Sequence, residues 1–435
     1  MIAKLSMQQP RGASRRRFIK EVAATGVSAL IGSGMLGCNR TRTANRAIKI
    51  GLVSPRTGIL SAFAEGTDFV LSKVRARIAG GIAVNGQNHT VQIIERDSQS
   101  DPNRAAEATA SLIKSDGVDL MLAASTADTV NPVSDQCEIN GVPCITTDCP
   151  WQAYYFGRGG KADGGFDWTY HFFWGLEDLI AVYRNMWNSI PTNKIVGALW
   201  PNDAEGNAFS DPHFGFPSAL QEKGFKIVDT GRFQPATNDF SAQISAFKNA
   251  GAEIVTGVLP PPAFATFWSQ AAQQNFRPKA VTVAKSLLFP AAVEALGERA
   301  QGLTTEVWWS PRHPFTSALT GETAAQFCAA YEAATGKQWT QPMGFRHALL
   351  ETALDVLGRT TEINSPRAIR DAIRTTNYNS IVGHIAWQLN PVKNVTRTPL
   401  VGGQWDKGNK FKYDLLIVNN DTDRTIPADR KMVSL

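Results

Sequence analysis

Ser125, Thr126, Asp128 and Thr129 stand in the run LAASTADTV, directly after the apolar stretch VDLMLA. The apolar stretch reads as a strand and the residues after it as the start of a helix. Three hydroxyls and a carboxylate therefore gather where a strand hands over to a helix. A helix N-terminus carries unpaired N–H groups and roughly half a positive charge, so it attracts an anion. Ser125 and Thr126 add hydroxyl donors to that nest. Two readings stand open: an anion site facing a ligand, or plain capping of the helix by a hydroxyl.

Elsewhere the sequence has no GxSxG elbow, no P-loop and no HExxH pair. His89, His171, His213, His313, His347 and His384 are scattered singly and read as surface or capped residues. Cys149 falls on a loop past the next strand, but spacing sets no histidine beside it, so a thiol nucleophile is not expected. With no CxxC pair and no Cys/His cluster, a metal is not expected either. The chain reads as a non-enzyme without catalytic residues or cofactor.

The elements that must position this loop alternate along the chain. AIKIGLV, HTVQIIERDSQ, VDLMLAAS and VPCITT read as strands, with helices TDFVLSKVRARIAG, DPNRAAEATASLIKSDG and TADTVNPVSDQCEING between them. NKIVGALWPND, FKIVDTGRFQP, AEIVTGVLPP and KAVTVAKSLLF repeat that logic, and IAWQLNP and FKYDLLIV read as a late strand pair. Strand–helix alternation predicts parallel sheets with helical crossovers. At 435 residues the chain exceeds one ordinary core. The expectation is an α/β protein of two doubly wound, Rossmann-like lobes.

Net charge is +6, but residues 1–37 hold six basic side chains against Glu21, leaving the rest near +1. Such a body offers no footprint for a phosphate backbone, so nucleic acid is not an expected partner. SRRRFIK followed by VAATGVSALIGSGMLG resembles a twin-arginine export signal, and MLGC resembles a lipobox ending at Cys38. Export, a lipid tether through Cys38 and an extracytoplasmic body follow as expectations. There, Cys137 and Cys144 in CEINGVPC are spaced for a local disulfide, or they are small buried apolar residues.

IKIGLVSPRTGILSAFAEG, IIERDSQSDPNRAAEATASLI, VDLMLAASTADTVNPVSDQCEINGVPCITT, TNDFSAQISAFKNAGAEIV and GHIAWQLNP, in that order, resemble a type I periplasmic solute-binding protein. The branched-chain amino acid (Leu/Ile/Val) branch is the one they resemble. The resemblance implies two lobes joined by three hinge crossings, with lobe one at 46–169 plus 303–384 and lobe two at 170–302 plus 385–435. It implies closure over a ligand and recognition by an ABC permease, as a monomer whose transport ATP is hydrolysed by other subunits.

The same resemblance implies that Ser125 and Thr126 hold a ligand carboxylate, that Thr147 to Trp151 add contacts, and that Phe63 caps the ligand. Trp151 either stacks on a planar ligand or packs under the loop that follows it. Lobe two departs from the pattern. PNDAEGN puts Glu205 before Gly206 where the family has Tyr-Gly, and GVLPPPAF puts Leu259 and Pro260 on the cleft. VTVAKSLLF sets Lys285 near the position of an acid that holds the ligand's ammonium. A cation there disfavours an α-ammonium; Glu205 either takes over that ammonium or pairs with Lys285. Eleven Trp hint at a planar ligand. The expected function is capture of a small carboxylate-bearing solute, amino acid or aromatic or amide-like, for import; a ligand-sensing receptor module is the alternative.

Overall fold

The computed structural model describes residues 46–161, 163–388 and 391–435. The expected signal segment 1–37 and Cys38 lie outside the described residues.

Thirteen strands build the two main sheets: β1 (Ile48–Ser54), β2 (Val91–Asp97), β3 (Leu120–Ala124), β4 (Cys144–Thr147), β5 (Thr169–Phe172), β6 (Ile195–Pro201), β7 (Lys226–Phe233), β8 (Ile254–Val258), β9 (Ala280–Ala284), β10 (Thr304–Val307), β11 (Val395–Thr396), β12 (Val401–Lys407) and β13 (Tyr413–Asn419). The first sheet runs β11-β5-β4-β3-β1-β2, parallel throughout. The second runs β13-β12-β10-β9-β8-β6-β7, parallel from β7 to β10 and antiparallel at β12 and β13. Crossover helices cover both faces of a parallel sheet, which is why β3, β8 and β9 are buried along their whole length. Two α/β lobes result, as expected.

The lobe boundaries fall later than expected. TYHF continues the first sheet to Phe172, pairing Cys144 with Thr169. Thr304–Val307 belongs to the second sheet, with Thr304 beside Thr282 and opposite Gln404. Val395 and Thr396 pair with His171 and Phe172 in the first sheet, so the third crossing lies between Thr396 and Val401. The strand partner of FKYDLLIV is β12, VGGQWDK, not IAWQLNP. Glycine suits β12 because a Cβ on Gly402 would sit 2.6 Å from the Met186 sulfur.

Three helices frame the cleft: α1 (Ala127–Asn140) after β3, α2 (Ala204–Phe209) after β6, and α3 (Gln341–Arg359). The first and third belong to lobe one and α2 to lobe two. No helix among the described residues is long and apolar enough to cross a membrane.

Candidate functional site

The loop LAASTADTV lies where its sequence predicts, but neither hydroxyl caps α1. Thr126 is the N-cap residue without a side-chain cap bond, and Ser125 Oγ and Thr126 Oγ1 are buried without a partner. The Ala127 N–H donates instead to Glu205 Oε1 of lobe two, at 3.1 Å. In return, the Ala204 N–H that opens α2 donates to Asp128 Oδ1 of lobe one, at 3.2 Å. Asp203 Oδ1 also accepts from the Gly206 N–H at 2.7 Å, the usual way an Asp caps its own helix.

Lys285 Nζ lies 2.6 Å from Glu205 Oε2 and 3.7 Å from Asp203 Oδ2. Of the two roles left open for Glu205, pairing with Lys285 is the one in place. Both side chains are only 4% exposed. Burial pushes Glu205 up to about 7 against the pull of Lys285. Burial also opposes the Lys285 charge, but Glu205, Asp203 and Asp128 outweigh it and hold the ammonium above its usual range.

Gly206 makes this arrangement fit, since a Cβ there would stand 2.0 Å from the Pro201 carbonyl oxygen. Gly206→Ala is expected to cost ~1–3 kcal/mol by overpacking; a thermal unfolding midpoint equal to the parent's is the contrary result.

A cavity with about 260 Å³ of empty volume lies between the lobes, lined by Phe63, Phe173, Trp174, Trp308, Asp148, Glu205, Lys285 and their neighbours. Only about 20 Å³ of it is open to a water molecule, room for roughly one, so the lobes are closed tightly on this space. Its walls are aromatic: Phe173 lies 4.6 Å from Trp174 and 4.8 Å from Trp308, ring centre to ring centre. Phe63 stacks at 6.4 Å on Trp308.

Asp148 and Lys285, each at the carboxyl end of a strand, both have positive φ, 73° and 70°. Asp tolerates that region, but a lysine there is strained, and such strain gathers at functional loops. Both Asp148 oxygens are buried without a partner, and burial pushes the acid up to about 7 against the nearby Arg346 charge. Arg346, on α3, spends Nη2 on the Phe63 and Ala124 carbonyls at 3.1 and 3.4 Å. Its Nε and Nη1 have no partner.

Of the residues expected at the ligand, Phe63, Glu205 and Lys285 line the cavity. Ser125 and Thr126 are not among its lining residues; they follow Ala124, the end of β3, whose carbonyl accepts from Arg346. Thr147 is spent within lobe one, donating to the Phe172 carbonyl at 2.7 Å. Trp151 does not line the cavity: it packs on Tyr155 and Phe156, and its indole N–H donates to Glu177 at 3.0 Å. Leu259 is fully buried outside the lining, and Val258 takes its place.

Asp148 falls inside the Thr147 to Trp151 segment expected at the ligand, Trp174 and Trp308 are among the Trp that hint at a planar solute, and sequence reading passed over Arg346. Two of them leave a trace: Asp148 is a charge at the end of the apolar VPCITT, and Arg346 interrupts the apolar run GFRHALLETALDVLG. Trp174 and Trp308 lie on the lobe crossings, which only the assembled sheets define.

Cys137 and Cys144, read as either a local disulfide or small buried apolar residues, are free thiols. Both are fully buried, and burial together with the Cys144 thiol pushes Cys137 well up. A thiol that far from ionising is a poor partner in exchange, so the pair serves as small apolar filling. Cys149 does have a histidine near it, with His171 Nε2 4.0 Å from the sulfur. That nitrogen lies 2.8 Å from the Cys149 carbonyl, which only a donor N–H can satisfy, and Nδ1 faces the Thr146 hydroxyl. Nε2 therefore holds its proton and is no base for the thiol, which burial pushes well up.

Known proteins share this fold. A family model for periplasmic binding proteins matches residues 47–410. The chain is 26% identical over 227 residues to Leu/Ile/Val-binding protein homolog 3 of Brucella melitensis, a match covering 48% of this chain and 53% of that protein. It thus spans about half the length of that curated relative. Among solved structures, it resembles the leucine binding protein LivK of Thermotoga maritima, with TM-score 0.69 at 20% identity over 87% of this chain and 100% of that one. It also resembles a Rhodopseudomonas palustris ABC transporter solute binding protein in complex with 3,4-dihydroxy benzoic acid, with TM-score 0.68 at 17% identity over 85% of this chain and 96% of that one. The chain belongs to the periplasmic binding protein family, with the two-lobed type I fold of those structures.

Proposed function

We propose that the protein is the extracytoplasmic solute-binding component of an ABC importer, closing its lobes on a small carboxylate-bearing solute with a planar or branched apolar body. The observation that carries this reading is the aromatic-walled cavity and the buried donors around it. Ser125 Oγ, Thr126 Oγ1, Arg346 Nε and Nη1, and the Trp174 and Trp308 indole N–H groups all lack partners. A buried donor left unpaired costs ~1–3 kcal/mol, and a carboxylate accepts from several donors at once. Because Glu205 occupies both α1 and Lys285, the cation with donors to spare is Arg346. Asp148 then faces a donor group on the solute.

The likeness to a leucine binding protein and to a dihydroxybenzoate complex supports this class, since both compounds carry a carboxylate. Export by a twin-arginine signal, the tether through Cys38 and delivery to a permease belong to the same reading.

Trp174 and Trp308 give the test a signal. Intrinsic fluorescence of the purified protein is titrated with leucine, isoleucine, benzoate, 3,4-dihydroxybenzoate and, as a neutral control, benzamide. A saturable change with a carboxylate and none with benzamide is the expected result. Binding of benzamide alone, or of no carboxylate in the panel, overturns the carboxylate reading.

A further inference from the structure

The contact between the lobes has an unusual symmetry. Asp128 is the second residue of α1 and Glu205 the second residue of α2. Each carboxylate crosses the cleft and accepts the first N–H of the other helix, at 3.1 Å for Glu205 and 3.2 Å for Asp128. The two helix starts thus exchange acids. Lys285 and Asp203 stand behind Glu205 and fix its direction. On either side, aromatic pairs join the lobes: Phe63 meets Phe289 edge-on at 5.1 Å, and Phe156 meets Phe214 at 5.1 Å. Every one of these contacts is made by the chain with itself.

We propose that the Asp128–Glu205 exchange is a latch that holds the lobes together before any solute arrives. This inference rests on the lobe closure of the reading above and adds its control. An acid at a helix N-terminus biases an equilibrium by roughly 2- to 30-fold, the upper figure applying where it is partly buried. Two such contacts in a dry cleft weight the closed form, working against the burial of Asp128 and its repulsion by Asp203, and the aromatic pairs act in the same direction. A solute that binds the closed form then shifts an equilibrium already set by the chain. Glu205 has a second effect: it occupies the α1 terminus from within, so a solute carboxylate does not take the Ala127 N–H while the latch is shut.

Small-angle X-ray scattering tests the latch without a solute. The protein is freed of solute by unfolding in guanidinium and refolding, and then compared with Asp128→Ala and the milder Asp128→Asn. Both variants leave the Lys285–Glu205 pair in place, and circular dichroism checks that each is folded. The expected result is a compact parent, near the ~21 Å radius of gyration of a ~390-residue body, and larger radii for both variants. A parent already expanded, or variants with the parent's radius, overturns the latch. A compact parent that opens on Asp128→Ala while the fluorescence panel stays silent removes the carboxylate reading alone. Carboxylate binding by an open parent removes the latch alone.

Discussion

Lys285→Met is expected to cost ~3–5 kcal/mol of stability at pH 8, the penalty for stripping one partner from a buried ion pair. Glu205 is 3% exposed and would keep only the Ala127 N–H, with the Asp203 and Asp128 carboxylates close by. A carboxylate so placed is driven to take up a proton, so the penalty should shrink at pH 5. Lys285→Met/Glu205→Gln removes the charge along with its partner and is expected to recover most of the loss, because a buried pair replaced as a unit is often nearly neutral. At ~2–4 °C per kcal/mol for a body of lobe size, the single variant should melt roughly 10 °C below the parent. Any part of the cost relieved by lobe opening appears as a larger radius of gyration. Additive losses in the double variant, or a single variant that melts with the parent, would mean that the pair is not coupled as the 2.6 Å contact requires.

How much of this was legible in the sequence follows from the range of the forces involved. Strands buried between crossover helices must be apolar on both faces, so LMLAA and IVTGV announce themselves without context. The strand VGGQWDK does not, because its glycines answer to Met186 and not to any local preference. Lobe membership was misjudged by several residues for a related reason: it depends on which sheet edge accepts a strand, a choice made far away in sequence. The helix start at Ser125 was legible, and so was its pull on an anion. That the anion would be Glu205, 78 residues beyond the Ala127 N–H it accepts from, was not. The lining followed the same pattern. Phe63 and Lys285 were placed at the ligand by the family resemblance, and both line the cavity. The indoles of Trp174 and Trp308 come together only when two crossings run side by side, 6.3 Å apart ring to ring.

The same burial that shapes the cleft sets how stability should depend on pH. Asp148, Glu205 and Glu351 are each pushed up to about 7, chiefly by burial, so folding makes them take up protons. Their contribution is fully present below ~4, the unfolded carboxylate range, and is lost as pH rises through about 7. His171, His313 and His347 work in the opposite sense. Burial lowers each to about 3, so folding strips their protons, and their contribution is lost as pH falls from ~6.5 toward 3. Around pH ~5.5 the two sets nearly cancel; above it the histidines are already neutral in the unfolded chain while the acids still discharge. The unfolding midpoint should therefore peak near pH ~5.5 and fall by several degrees at pH ~8. Asp148→Asn tests the acids directly, since an amide carries no charge to discharge: it should flatten the alkaline limb, steepen the acid limb and move the peak to higher pH. Differential scanning calorimetry from pH ~4.5 to ~8.5 reads both limbs. A midpoint that climbs steadily to pH ~8, or an alkaline limb untouched by Asp148→Asn, would show that these acids are ionised in the folded protein at no cost.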